Sequence, residues 1–116
     1  MSIDYNHRKF RVIAQSGEGD IEPGLVFHYR QNGNILSCEY EGGDVRSGHL
    51  LGLVEADGKL RFSYHQINHK GELRTGVCTS VPERLEDGRL RLHEQWEWTD
   101  GNPSSGTSVL EEILAE

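Results

Sequence analysis

A chain of 116 residues suffices for one domain that buries roughly two-thirds of the surface its unfolded form exposes. Its 19 acidic and 12 basic side chains leave a formal charge of −7, and no basic stripe exists to displace counterions, which argues against nucleic acid and anionic membranes as partners. Counting the 14 glycines in place of the 4 tyrosines lifts the hydrophobic share from 34% to about 43%, close to an ordinary globular domain, so disorder is excluded too.

In chain order, residues 1–8 read as a flexible N-terminus on a single domain that spans 1–116. Strands are expected at 9–15, 24–31, 34–41, 45–55, 59–68, 72–81 and 89–99. Asn32-Gly33, Gly42-Gly43, Asp57-Gly58, Lys70-Gly71, Asp87-Gly88 and Asp100-Gly101 punctuate them. Asn-Gly and Asp-Gly supply the positive φ that type I′ hairpin turns demand, so each is a hairpin signal. Pro23, Pro82 and Pro103 fall between the runs, where a missing N–H does no harm. The stretch Thr99 to Gly106 reads as a mobile loop.

The closing segment, 106–114, admits two readings. Ser108 with Glu111 resembles a capping box, and Val109, Leu110, Ile113 and Leu114 would share a helical face. So short a helix is marginal, however, and a returning strand could pair with an edge strand and close the sheet, which is the reading adopted. The fold class is therefore all-β: a single antiparallel up-and-down meander of about eight strands closing into a small barrel. Eight is the strand number at which a barrel interior just fills or holds one small ligand. Gly48, Gly52 and Gly76, inside strands, mark plausible corners.

Strand alternation sorts the faces. Leu25, Phe27 and Tyr29 point inward, as do Leu36, Cys38 and Tyr40, then Leu60, Phe62, Tyr64 and Gln66, then Leu90, Leu92, Glu94, Trp96 and Trp98. On the fourth strand an outward Arg46 places Val45, Ser47, His49, Leu51 and Leu53 inside. On the sixth, Leu73, Thr75 and Val77 take the inner face against Glu72 and Arg74. The inward set is thus apolar at one end and carries Tyr29, Tyr40, His49, Tyr64, Gln66, Glu94, Trp96 and Trp98 towards the other, as a small-molecule site would. Glu94 is its anomaly, since burying a carboxylate unpaired is costly.

Glu94 and His49 are the weak candidates for an acid–base pair. No nucleophile elbow, phosphate loop or zinc-protease pattern is present, so no catalytic residue is assigned and no cofactor is expected. His65 and His69 would lie ~13 Å apart on a strand, too far for one metal. His28, His65 and His93 read as solvated, and no metal site is expected. No apolar stretch reaches transmembrane length and the first residues lack a signal-peptide core, so the expected location is cytoplasmic, with Cys38 and Cys78 reduced.

The segments Gly48 to Gly52, Tyr64 to Asn68, Gly71 to Cys78, Leu92 to Thr99 and Gly106 to Glu112 resemble a family of short bacterial proteins often labelled N-acetylglutamate synthase. The residues do not support that label. The Arg/Gln-x-x-Gly-x-Gly/Ala signature of acetyltransferases and the helix that cradles coenzyme A pyrophosphate are missing. By fold, the meander resembles calycin-like barrels such as the lipocalin and fatty-acid-binding proteins, which implies a hydrophobic ligand. The expected function is binding of a small, partly apolar or aromatic ligand inside the barrel. The alternative is a cofactor-independent isomerase, hydrolase or lyase using Glu94 and His49. A homodimer is expected if the outer face, at Val26, Leu50, Val54 or Ile67, proves apolar.

Overall fold

The computed structural model describes residues 3–17, 25–101 and 104–114. Pro23, Pro103 and the middle of the Thr99–Gly106 loop lie outside them, as does the first residue of the second expected strand. Nine strands form one antiparallel sheet: β1 (Lys9–Gly17), β2 (Val26–His28), β3 (Arg30–Asn32), β4 (Ile35–Gly42), β5 (Val45–Val54), β6 (Leu60–Asn68), β7 (Leu73–Arg84), β8 (Leu90–Trp98) and β9 (Ser105–Ile113). The closing segment is a strand, and none of the described residues is helical.

The sheet order is β2-β1-β9-β8-β7-β6-β5-β4-β3. Its two outermost strands, β2 and β3, are halves of one extended segment interrupted only at Tyr29. The sheet therefore curls until its ends meet in a single stretch of chain, and the barrel is nearly closed. At the interruption, the Tyr29 N–H donates to the Arg8 carbonyl (2.9 Å) and its carbonyl accepts from the His7 N–H (3.0 Å), so the backbone stays satisfied.

The N-terminus, expected to be flexible, is over residues 3–8 the plug of the barrel. Tyr5 is wholly buried, and its hydroxyl donates to the Gly58 carbonyl at 2.6 Å. A large ring with a satisfied hydroxyl is a strong anchor, and no hydrophobic periodicity announces it in so short a segment.

The glycine turns form where expected but not as type I′. That type needs positive φ at both central residues, and Asp57 and Asp87 do not have it, whereas Gly58 and Gly88 each have φ of 90°. Three-residue loops result, with the Gly58 N–H bonded to the Glu55 carbonyl and the Glu55 N–H to the Lys59 carbonyl. Asp57 accepts from the Lys59 N–H, and Asp87 repeats this at Arg89. Pro82, expected in a loop, lies within β7. Pairing with β6 stops at Ser80, so Pro82 sits on an extension paired with β8 alone. The Leu85 N–H faces β8, and by alternation the missing N–H of Pro82 faces the vacant side.

Two strands present the opposite face from that expected. On β5 the pairing jumps from Val45–Asn68 to Ser47–Ile67, a bulge at Arg46 that reverses the phase of everything after it. Val45, Gly48, Leu50 and Val54 are buried, while Leu51 and Leu53 are exposed. On β7 the interior residues are Gly76, Cys78 and Ser80, with Leu73 and Val77 outside. The reason is volume. Their neighbours across the sheet are Tyr64, Trp96, Trp98 and Glu94, and a barrel this narrow seats large side chains only beside small ones.

Candidate functional site

The interior divides into two halves. Towards the end where Gly58 and Gly88 turn, the buried side chains are Tyr5, Phe10, Leu36, Leu60 and Leu90. The buried Glu112 carboxylate there accepts from the Arg8 guanidinium (2.9 Å) and the Leu90 N–H (3.0 Å). The other half is aromatic and holds a cavity of about 30 Å³, room for about two waters.

Six of the eight candidate ligand residues line this cavity: Tyr29, Tyr40, Tyr64, Glu94, Trp96 and Trp98. Gln66 does not line it but supports it, since its buried Oε1 accepts from the Tyr40 hydroxyl at 3.0 Å. His49 is on the wrong side of the wall. The Arg46 bulge turns it outward between Glu39 and His65, with the His65 ring centroid 5.5 Å away. The Glu94–His49 acid–base pair therefore does not exist. His28, His65 and His93 are likewise exposed on the outer face.

Three of the rings lie flat against the wall for a reason visible in the register. Tyr40, Tyr64 and Trp96 stand directly across from Gly48, Gly76 and Gly106 on the neighbouring strands. A methyl group on any of those glycines would overlap the ring. Each ring folds over its glycine rather than projecting towards the axis, which leaves the centre of this half unfilled. The rings also contact one another, with Tyr64 5.3 Å from Trp98 and Trp96 6.2 Å from Trp98 between centroids. At the rim, the Arg74 guanidinium stacks 3.9 Å from the Trp98 ring centroid, with its Nε 2.8 Å from the Asp100 carboxylate.

Glu94 sits in the middle of β8 between Ser80 on β7 and Ser108 on β9. Burial pushes its carboxyl up to about 7, against the downward pull of the Ser108 hydroxyl, which donates to Oε1 at 3.0 Å. Ser80 pulls the same way without completing a hydrogen bond of good geometry. Glu94 Oε2, the Tyr29 hydroxyl, Gln15 Oε1 and the Ser80 hydroxyl are all buried without a hydrogen-bond partner among the described residues. Each such group costs about 1–3 kcal/mol, and all four belong to this cavity or its immediate wall. Burial holds the Cys38 thiol up at about 12 and moves Cys78 and Tyr29 in the same direction, so these groups stay neutral at physiological pH.

Gln15, Ser80 and Ser108 are absent from the sequence-derived set. Gln15 faces inward only because β1 is bulged between Val12 and Ala14. The serines carry no hydrophobic signal, and only the register with Glu94 reveals them.

A nearly closed antiparallel barrel with an aromatic, partly polar cavity at one end is a calycin-type architecture. The chain belongs to the avidin-like protein family, which it matches over residues 3–113 and whose barrel is a ligand-binding fold. No individually curated protein matches it.

Proposed function

We propose that the protein binds a small, partly apolar ligand in the aromatic half of its barrel. The observation that carries this reading is that, among the described residues, Gln15, Tyr29 and Glu94 each bring a buried polar atom without a hydrogen-bond partner to one cavity with aromatic walls. Waters satisfy such atoms in the free protein, and a ligand that replaces them gains both hydrogen bonds and ring contact. Established ligand pockets run to ~300 Å³ and more, so this cavity receives the head of a ligand while the rest lies towards the Arg74–Asp100 rim. Trp96 and Trp98, the only tryptophans of the chain, report on the site directly. Screening a small-molecule library by tryptophan fluorescence and thermal shift tests the proposal. A saturable emission change with a raised Tm is expected for some members. If none produces both, the reading fails.

A second reading rests on the outer face, where Ile35 and Leu53 are cross-strand partners and Leu51 and Val77 are also exposed. Val26 and Ile67 are outside as expected, whereas Leu50 and Val54 are buried. A homodimer through this face predicts a doubled mass in sedimentation that Leu51→Lys with Leu53→Lys reduces to a monomer.

A further inference from the structure

We propose that the ligand of this cavity is an organic cation, an ammonium head on a small apolar body, with the Glu94 carboxylate as its counter-ion and the surrounding rings as its cage. The proposal rests on the ligand-binding reading above and specifies the chemistry of the same site.

Complementarity of hydrogen bonding is the first argument. Gln15 Oε1 and the ionised Glu94 Oε2 can only accept, and the Tyr29 and Ser80 hydroxyls can accept as well as donate. An ammonium group brings three donors and no acceptor, which matches the three of these atoms whose residues line the cavity, on Gln15, Tyr29 and Glu94. Charge is the second. Among the described residues, no Lys, Arg or His side chain lies within ion-pairing distance of Glu94, in contrast to Glu112, which has Arg8. An anion placed here would confront a carboxylate with nothing to offset it, and a neutral ligand would leave the buried charge uncompensated. In a low-dielectric site the missing ion pair is a strong demand.

The walls supply the third argument. Phe27, Tyr40, Tyr64, Trp96 and Trp98 present ring surfaces to the cavity, and ring faces attract cations. The chain already uses one of them in this way, since Arg74 lies over Trp98 at 3.9 Å, with Asp100 cancelling its charge at the rim. Size and field agree. An ammonium head is close to a water in volume, so a cavity with room for about two waters admits it with the start of its apolar body, and a protein of net charge −7 draws cations towards itself.

The test titrates the intact protein with ethylammonium, ethanol and acetate at constant ionic strength, with potassium as the inorganic cation, reading tryptophan emission. Ethylammonium is expected to saturate, and to bind about tenfold more tightly at pH 8 than at pH 6, as a carboxyl near 7 passes from one-tenth to nine-tenths ionised. The titratable groups that face Glu94 are Tyr29, Tyr40, Tyr64 and Cys78, all pushed up by burial and neutral across that window. Glu94→Gln is expected to weaken ethylammonium at least tenfold while leaving ethanol unchanged. Equal affinity for ethanol or acetate, or no loss in Glu94→Gln, overturns the cation while sparing the ligand cavity. A potassium response equal to that of ethylammonium overturns the organic cation. Failure of every probe also overturns the proposal, and the library screen then decides separately whether the cavity binds ligands at all.

Discussion

Tyr5 and Tyr29 are both fully buried, with ring centroids 6.2 Å apart, yet only Tyr5 has a partner for its hydroxyl among the described residues. Glu112 and Glu94 repeat the contrast. Each is 7% exposed on the inner face, but Glu112 is held by Arg8 and the Leu90 N–H, whereas Glu94 has one serine. The plugged half of the barrel thus completes its own hydrogen bonds, and the aromatic half does not. Evenly imperfect packing would scatter unpartnered atoms through both halves. Of the five such atoms among the described residues, only Arg91 Nε, on the outer face of β8, lies away from this cavity and its wall, which marks that half as built for something other than stability.

The carboxylates give the largest expected effect. A carboxyl raised to about 7 in the folded protein, against 4.5 unfolded, makes the folded state bind more protons between those values. Its stability contribution is therefore intact below pH 4.5 and falls as pH rises to 7, by about 3 kcal/mol in order of magnitude. Glu94→Gln should be more stable than wild type by about that amount at pH 8 and equal to it near pH 4, by urea denaturation. Glu112→Gln should instead destabilise, by about 2 kcal/mol, since Arg8 is left beside a neutral group and is itself partly exposed. If both substitutions act in the same direction at pH 8, the contrast between the halves is wrong.

Gly76→Ala should cost about 1–3 kcal/mol by overpacking against Tyr64, and should also reduce ligand-induced changes in tryptophan emission as the ring is driven towards the axis. The tyrosines sharpen the comparison at smaller scale. Tyr5→Phe should cost about 1 kcal/mol in denaturation, and Tyr29→Phe nothing or less than nothing, because only the first loses a hydrogen bond. Arg74→Ala is likewise expected to cost about 1 kcal/mol at the partly buried rim while speeding ligand entry in stopped-flow fluorescence.

Strand order and closure were legible from the glycine turns and from alternation, and four of the strands presented the faces read for them; nine strands stand where about eight were expected, because the second is divided at Tyr29. Tyr64, Glu94, Trp96 and Trp98 lie on unbulged strands, where period two holds from end to end. His49 and Gln15 escaped because a bulge adds one residue and reverses every side chain beyond it, with no compositional mark at Arg46 or Ile13. Gly76, Cys78 and Ser80 escaped for a different reason. Their inward position is dictated by the size of residues on other strands, which pairing alone reveals.

The most direct measurement is a ¹³C NMR titration of the Glu94 side-chain carboxyl in the ligand-free protein. A carboxyl buried among aromatic rings, with Ser108 as its one hydrogen-bond donor among the described residues, is expected to titrate near 7. A midpoint in the ordinary glutamate range, about 4.5, would mean that burial does not disfavour the charged form of Glu94, and would contradict the site as described.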